Sequence, residues 1–239
     1  MAESARLGLP YLAGAQTQKH VTVNAGLSRL DALVQMVAEG EAATPPGAAA
    51  DGAVWIVGEG AGGDWAGWDG MLALWSNGGW EQLVPGTGWS AWDLQAGLLR
   101  RYDGTGWIAG AVALAPDGSG AATVSRVLSI SHAIGAGAVS TVAAAIPAGA
   151  LVTGVTARVT GEITGSGVAS WSLGVAGSAD RYGAGMGLGA GSWARGLTGS
   201  PLAYYAETDM EISADAGSFS GGSVLLALHL TELLPPRAV

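Results

Sequence analysis

A 239-residue chain with no cysteine excludes a disulfide framework, a thiolate nucleophile and a thiolate metal site, and its formal charge of −9 argues against nucleic-acid binding. That length suits two modest domains, each able to bury its own core. With 41 glycines and only 12% charged residues, the composition predicts a mainly β chain of short strands and many turns. The low charge fits an assembly that hides surface, and equally a genome rich in Ala and Gly codons.

Residues 1 to 23 read as extended, because Gly8, Pro10 and Gly14 break helices and Val21-Thr22-Val23 are β-branched. Asn24 then reads as an N-cap for a helix from Ala25 to about Glu39, stopped by Gly40. Leu27, Leu30, Val34 and Val37 fall on one face of that helix. The stripe would pack on the chain's own next domain or serve as an attachment and oligomer face. Residues 1–50 are thus expected to form an extended arm plus amphipathic helix, closed by a Pro45-Pro46-Gly47 linker. Residues 1–9 hold no apolar signal core, and no segment approaches a membrane span. The chain is therefore expected to start in the cytoplasm without membrane insertion, any exit from the cell then using a route other than a secretion signal, such as lysis or particle release.

Residues 51–109 carry eight of the ten tryptophans: Trp55, Trp65, Trp68, Trp75, Trp80, Trp89, Trp92 and Trp107. Rings at this density either fill a core or form a sticky surface. Strands are expected over 53–57, 71–75, 80–84, 98–102 and 107–109, with turns at Ser76-Asn77-Gly78-Gly79 and Asp103-Gly104-Thr105-Gly106. Placing the rings around hairpin turns of a thin antiparallel domain favours core. Residues 110–122, rich in Ala, Gly and Pro, read as a linker.

Residues 123–239 show turn signals about every ten residues, the rhythm of a β-sandwich or jelly roll. Val155, Ala157 and Val159 alternate with Thr156, Arg158 and Thr160, and Val224, Leu226, Leu228 and Leu230 mark a last core strand before Pro235-Pro236. From Gly183 to Gly191 every second residue is glycine, giving either a strand with one bare face or a flexible loop. Trp171, Tyr182, Trp193, Tyr204 and Tyr205 lie near this segment and are candidates for stacking on sugar rings or on a partner, against core packing for each taken singly.

Catalytic signals are thin. Gly58 to Gly63 matches G-x-G-x-x-G but is followed by glycines where a dinucleotide site needs a helix, so it reads as a hairpin loop. His20, His132 and His229 are scattered, and no nucleophile elbow or metal spacing occurs. Asp64 with Asp69, or Asp209 with Glu211, could supply the carboxylate pair of a glycosidase, although acidic turn residues are usually solvated. The expectation is a non-enzyme with no catalytic residue, no metal and no cofactor.

Leu7 to Asn24, with its Leu-Pro-Tyr start and Gln16-Thr-Gln-Lys-His20 segment, is followed by Leu30-Asp31-Ala32-Leu33 and closed by Tyr102, Gly104 and Trp107. Over residues 7 to 109 this resembles a family of structural proteins of alphaproteobacterial prophages and gene transfer agents, head spikes and tail fibres, and most of all head-spike base proteins. Ala25 departs from that pattern, which has Glu after the Asn. Ile146-Pro-Ala-Gly149, Gly174-Val-Ala-Gly177 and Tyr204-Tyr205 are similar to C-terminal regions attached to such proteins.

The resemblance implies a homo-oligomeric virion protein, trimeric or pentameric. Its N-terminal part would attach to capsid or tail proteins. Its C-terminal sandwich would meet a fibre protein or the host surface, aiding adsorption to capsular polysaccharide. A free-standing carbohydrate-binding module and a polysaccharide depolymerase are the alternatives.

Overall fold

The computed structural model of the chain describes residues 3–12 and 19–238. It is mainly β, with one α-helix among the described residues, and divides into two compact units. The first is Met1–Ala122 with Pro235–Val239, and the second is Thr123–Leu234.

The first unit contains α1 (Lys19–Leu33), β1 (Val37–Ala38), β2 (Glu41–Ala42), β3 (Val54–Val57), β4 (Leu72–Ser76), β5 (Gly79–Leu83), β6 (Ser90–Asp93), β7 (Leu98–Tyr102), β8 (Trp107–Ala109) and β9 (Ala111–Leu114). Two four-stranded sheets share one plan. In each, an antiparallel meander, β3-β4-β5 or β6-β7-β8, gains a two-residue parallel strand at its first member. β2 pairs with β3 and β1 with β6, so residues 37–42 stitch both sheets together. Arg100 ties the join, reaching Asp93 at 2.6 Å and Glu41 at 2.5 Å.

Strand alternation sorts the side chains of the first sheet. Val54, Ile56, Leu72, Leu74 and Leu83 face one side and bury with Ala32, Met36, Ala38 and Ala91. Trp55, Val57, Ala73, Trp75 and Trp80 take the other side. There the β3–β4 connection folds back and inserts Trp65, which is fully buried. Trp65 lies 6.4 Å from Trp55 and 4.9 Å, edge-on, from Trp80, which packs against Trp75 at 4.9 Å. The tryptophans are therefore mostly packing rings: Trp65 is enclosed, Trp92 is exposed, and the other six of this stretch are half-buried. The Asn77-Gly78 turn has both central φ angles positive, 53° and 78°, which is what a two-residue primed hairpin turn requires.

The N-terminal expectations need correction. The helix spans Lys19–Leu33, so Val21-Thr22-Val23 are helical and Asn24 sits inside the helix, its side chain bonded to Leu12 instead of capping. The helix ends before Gln35, which adopts φ 47°, and Val37 belongs to β1 and not to the helical stripe. Gly14 and the Gln16 to Gln18 part of the family motif lie outside the described residues. The C-terminal residues also differ from expectation. Arg237 returns to the first unit, donating to Gly118 O at 3.0 Å and pairing with Asp103 at 2.8 Å.

The second unit holds β10 (Ala122–Ala133), β11 (Val139–Ile146), β12 (Ala150–Ser166), β13 (Trp171–Val175), β14 (Ser178–Met186), β15 (Trp193–Tyr204), β16 (Thr208–Ala214) and β17 (Ser218–Leu234). Its sheets run β10-β17-β12-β15 and β11-β16-β13-β14, the eight-strand order of a jelly roll. The expected alternation holds: Val155, Ala157, Val159, Val224, Leu226, Leu228 and Leu230 bury between the sheets, and Arg158 and Thr160 point out.

The glycine-rich segment divides. β14 runs through Met186, and residues 187–192 form the loop to β15. β14 and β15 are edge strands of opposite sheets, and they meet at Gly196. A Cβ there would lie 2.5 Å from Tyr182 Cα, so this contact requires glycine.

Candidate functional site

Two surfaces stand out, one on each unit. The first is built on α1, whose faces have different tasks. Ala32 and the following Met36 enter the core. A second, polar face clasps the N-terminal segment: Asn24 Oδ1 accepts from Leu12 N at 2.9 Å, Ser28 bonds the Tyr11 hydroxyl at 2.7 Å, and buried Asp31 accepts from Ser4 Oγ at 2.7 Å, Arg6 N at 2.9 Å and Leu7 N. Burial alone would raise the Asp31 carboxyl, but the hydrogen bonds from Ser4, Leu7 and Arg6 hold it below the usual carboxylate range. The Arg6 guanidinium donates to Ala32 O at 2.9 Å and Gln35 O at 3.0 Å, meeting the negative end of the helix.

What remains is the face carrying Val23, Leu27 and Leu30, continued by Val34 in the turn just past the helix, spaced 4-3-4. Val23, Leu30 and Val34 are 43%, 49% and 40% exposed and Leu27 is half-buried. Thus three of the four stripe residues expected from sequence do share a face, and it points to solvent, away from the core the helix packs on. Leu7, Leu12 and Val21 add further exposed apolar surface from the same part of the chain.

The second surface is an open groove of about 480 Å³ where β14 meets β15, within the range of ligand sites. Gly183, Gly185 and Gly187 contribute its bare backbone, Met186 and Ser192 line it, and Trp193 and Arg195 form one wall. Trp193 is 57% exposed, with the Arg195 guanidinium 5.5 Å from its ring centroid.

The five aromatic candidates do not form a single display. Trp171, Tyr182 and Tyr204 are core residues, which corrects their reading as ring-stacking contacts. Trp171 Nε1 donates to Gly187 O at 2.9 Å, and the Tyr182 and Tyr204 hydroxyls bond each other at 2.6 Å. Burial, then the bond from Tyr204, pushes the Tyr182 hydroxyl up, so it stays neutral. A buried aromatic with a polar tip needs such an internal partner, and each has one. Only Trp193 and Tyr205 (91% exposed) can meet a ligand face-on.

The other candidates take structural places. Gly58 to Gly63 lies in the β3–β4 connection and leads into a single 3-10 turn, Gly63–Trp65. Asp69 accepts from Ala61 N at 2.8 Å, and Asp209 from Ala144 N at 2.8 Å, where Ala144 has φ 51° at the β11 irregularity. Among the described residues no group of three His, Asp or Glu could hold a metal ion, and no helix is long and apolar enough to cross a membrane. Sequence reasoning missed Asp31 and Arg195. Asp31 stands inside the quoted Leu-Asp-Ala-Leu motif, and Arg195 lies two residues after Trp193, hence on the same strand face.

Residues 23–108 match the model of a family described as a protein of unknown function, DUF2793, a stretch that lies within the first unit. No curated protein matches the chain. Among solved structures the chain is similar to one titled "Cyanophage Pam1 capsid asymmetric unit", at 26% identity over 47% of this chain and 86% of that one. The TM-score is 0.33, and at that value the likeness carries no argument about fold or assembly.

Proposed function

We propose that the chain is a non-enzymatic structural component of a phage-like particle, a head spike or tail fibre protein. The first unit attaches to the particle, and the jelly roll contacts the host surface or a further fibre protein. One observation carries the reading: the apolar stripe Val23, Leu27, Leu30 and Val34 faces away from the core, on a helix locked in place by Asp31 and Arg6. A face of this kind on a rigid element suits docking.

The sequence resemblance over residues 7 to 109 supports the setting, and the jelly roll is an architecture shared by viral capsid and lectin domains. That last support is analogy of fold. The employment of Asp69 and Asp209 in holding backbone turns supports a non-enzymatic role. Outward contact falls to the second unit because the tryptophans of the first are packed together.

The test is sedimentation of particles from the strain that encodes the chain, with native mass measured on the purified protein. Association with particles and a mass of three or five chains are expected. A monomer absent from particles would remove the reading in favour of a free-standing carbohydrate-binding module.

A further inference from the structure

The groove at β14–β15 has a chemistry more specific than aromatic stacking. The chain carries a formal charge of −9, yet this corner is cationic. Of the four arginines in the second unit, Arg126 is paired with Glu232 at 2.6 Å. Arg158, Arg181 and Arg195 form no ion pair among the described residues. Arg195 and Trp193 project from the outer face of β15. Arg158 projects from β12 directly beside Trp193, and its Nη1 donates to Gly191 O at 3.2 Å in the β14–β15 loop. The residues registered with these on the same face, Thr156, Ala227 and Leu225, bring no carboxylate. The acidic pair Asp209 and Glu211 lies on β16, two strands away from β14, and β14 itself carries one exposed carboxylate, Asp180, beside Arg181.

We propose that this groove binds an acidic polysaccharide, a uronic- or sialic-acid type of chain. A sugar ring stacks on the free part of the Trp193 indole, and its carboxylate is held by Arg195 with Arg158 beside it. Each part follows from the geometry. Trp193 offers a broad apolar face to the C–H side of a sugar. Arg195 already covers part of that ring, so it is pre-positioned where a carboxylate on the stacked sugar would lie. A guanidinium fork suits a planar carboxylate in two parallel hydrogen bonds. Gly183, Gly185 and Gly187 leave the facing backbone bare, so a ring can approach without meeting side chains. Arg158 and Arg195, without an ion-pair partner among the described residues, also favour an anionic occupant over a second copy of the chain, which would bring its own negative charge.

This proposal rests on the reading that the second unit contacts the host surface, and the experiment separates the two. Full-length protein is titrated with fluorescent oligomers of polygalacturonate, alginate, hyaluronan and polysialic acid. Methyl-esterified polygalacturonate, dextran and single-stranded DNA are the comparisons. At least one carboxylated glycan is expected to bind, at least tenfold tighter than the methyl ester and dextran, and to weaken with salt. Trp193→Ala and Arg195→Gln should each weaken it at least tenfold, and Arg158→Gln by a smaller factor. All three side chains are outward, so the variants should keep the wild-type melting temperature.

Equal binding of the methyl ester or dextran would overturn the acidic class while leaving glycan contact standing. Binding of none of the glycans would overturn the proposal and leave contact with a fibre protein as the standing role of the second unit. Binding indifferent to Trp193 and Arg195 would place the site elsewhere. Tighter binding of DNA than of any glycan, insensitive to Trp193→Ala, would reduce the corner to a general polyanion contact and overturn the proposal.

Discussion

Replacing Trp65 with alanine tests whether the tryptophan stretch is a core. Trp65 is fully buried on a single 3-10 turn, edge-on to Trp80 and tilted against Trp55, above Ala73. Truncating a buried aromatic side chain costs about 3–5 kcal/mol, including the cavity it leaves. Phenylalanine should behave differently. The Trp65 indole N–H is buried with no hydrogen-bond partner among the described residues, and an unsatisfied buried donor costs about 1–3 kcal/mol. Trp65→Phe sheds that donor while keeping one ring against Trp80, so its net cost should be at most about 1–2 kcal/mol.

Calorimetry of the full chain is the assay. The first unit should lose about 10–20 °C in melting temperature for Trp65→Ala and only a few degrees for Trp65→Phe, with the transition of the jelly roll unmoved. Glycan or host binding by the folded variants should be unchanged. A shift under about 1 kcal/mol for Trp65→Ala, or equal losses for both substitutions, would refute the enclosed-ring argument. Lost binding at unchanged stability would make the tryptophans a contact surface.

Three further outcomes follow from the same structure. Asp31→Ala should free residues 3–12 from the helix, read as new proteolytic cleavage there, with a loss of about 2–4 kcal/mol from the charged hydrogen bonds removed. Acid should weaken the first unit. Asp31 and Asp103 are both held below their ordinary values in the fold, Asp103 against the upward push of burial by the Gly106 and Thr105 amides and by Arg237. Their stabilisation is therefore complete above an unfolded pKa near ~3.9 and lost as pH falls through the lower folded values. Asp103→Asn should be less stable at neutral pH and show a shallower acid dependence in urea titrations. Gly196→Ala should destabilise the jelly roll by several kcal/mol, because its Cβ meets Tyr182 backbone that cannot step aside. Gly199→Ala on the same strand, with open space around it, should change the midpoint little.

The parts of this fold that sequence revealed are those with local causes. Asn77-Gly78 announces its own turn, Leu98 to Tyr102 and Trp107 to Ala109 match β7 and β8, and the alternation at Val155 to Thr160 sorts core from solvent. What stayed hidden depends on distant partners. β1 and β2 are two residues each and exist because Trp92-Asp93 and Ile56-Val57 lie alongside them. Asn24 looks like a cap, but its side chain is engaged by Leu12, and the helix extends back through the exposed, β-branched Val21-Thr22-Val23 against their local propensity.

The candidate sites divide in the same way. Leu27, Leu30 and Val34 do share a face, but spacing alone cannot say which way a stripe points. Nor could it separate Trp171, Tyr182 and Tyr204, turned inward onto Gly187 O and onto each other, from Trp193 on the outside.

The attachment claim can be tested without disturbing the fold. Deleting residues 1 to 40 would remove Ala32, Met36 and Ala38 from the first unit's core, so that truncation would confuse lost docking with unfolding. The cleaner measurement is co-sedimentation with particles of a full-length variant carrying Val23→Ser, Leu30→Ser and Val34→Ser, compared with wild type. The variant should fold, with both calorimetric transitions retained, and should be lost from the particle fraction while wild type remains. Retention of the folded variant on particles at the wild-type level would contradict the assignment of this helix face as the attachment surface.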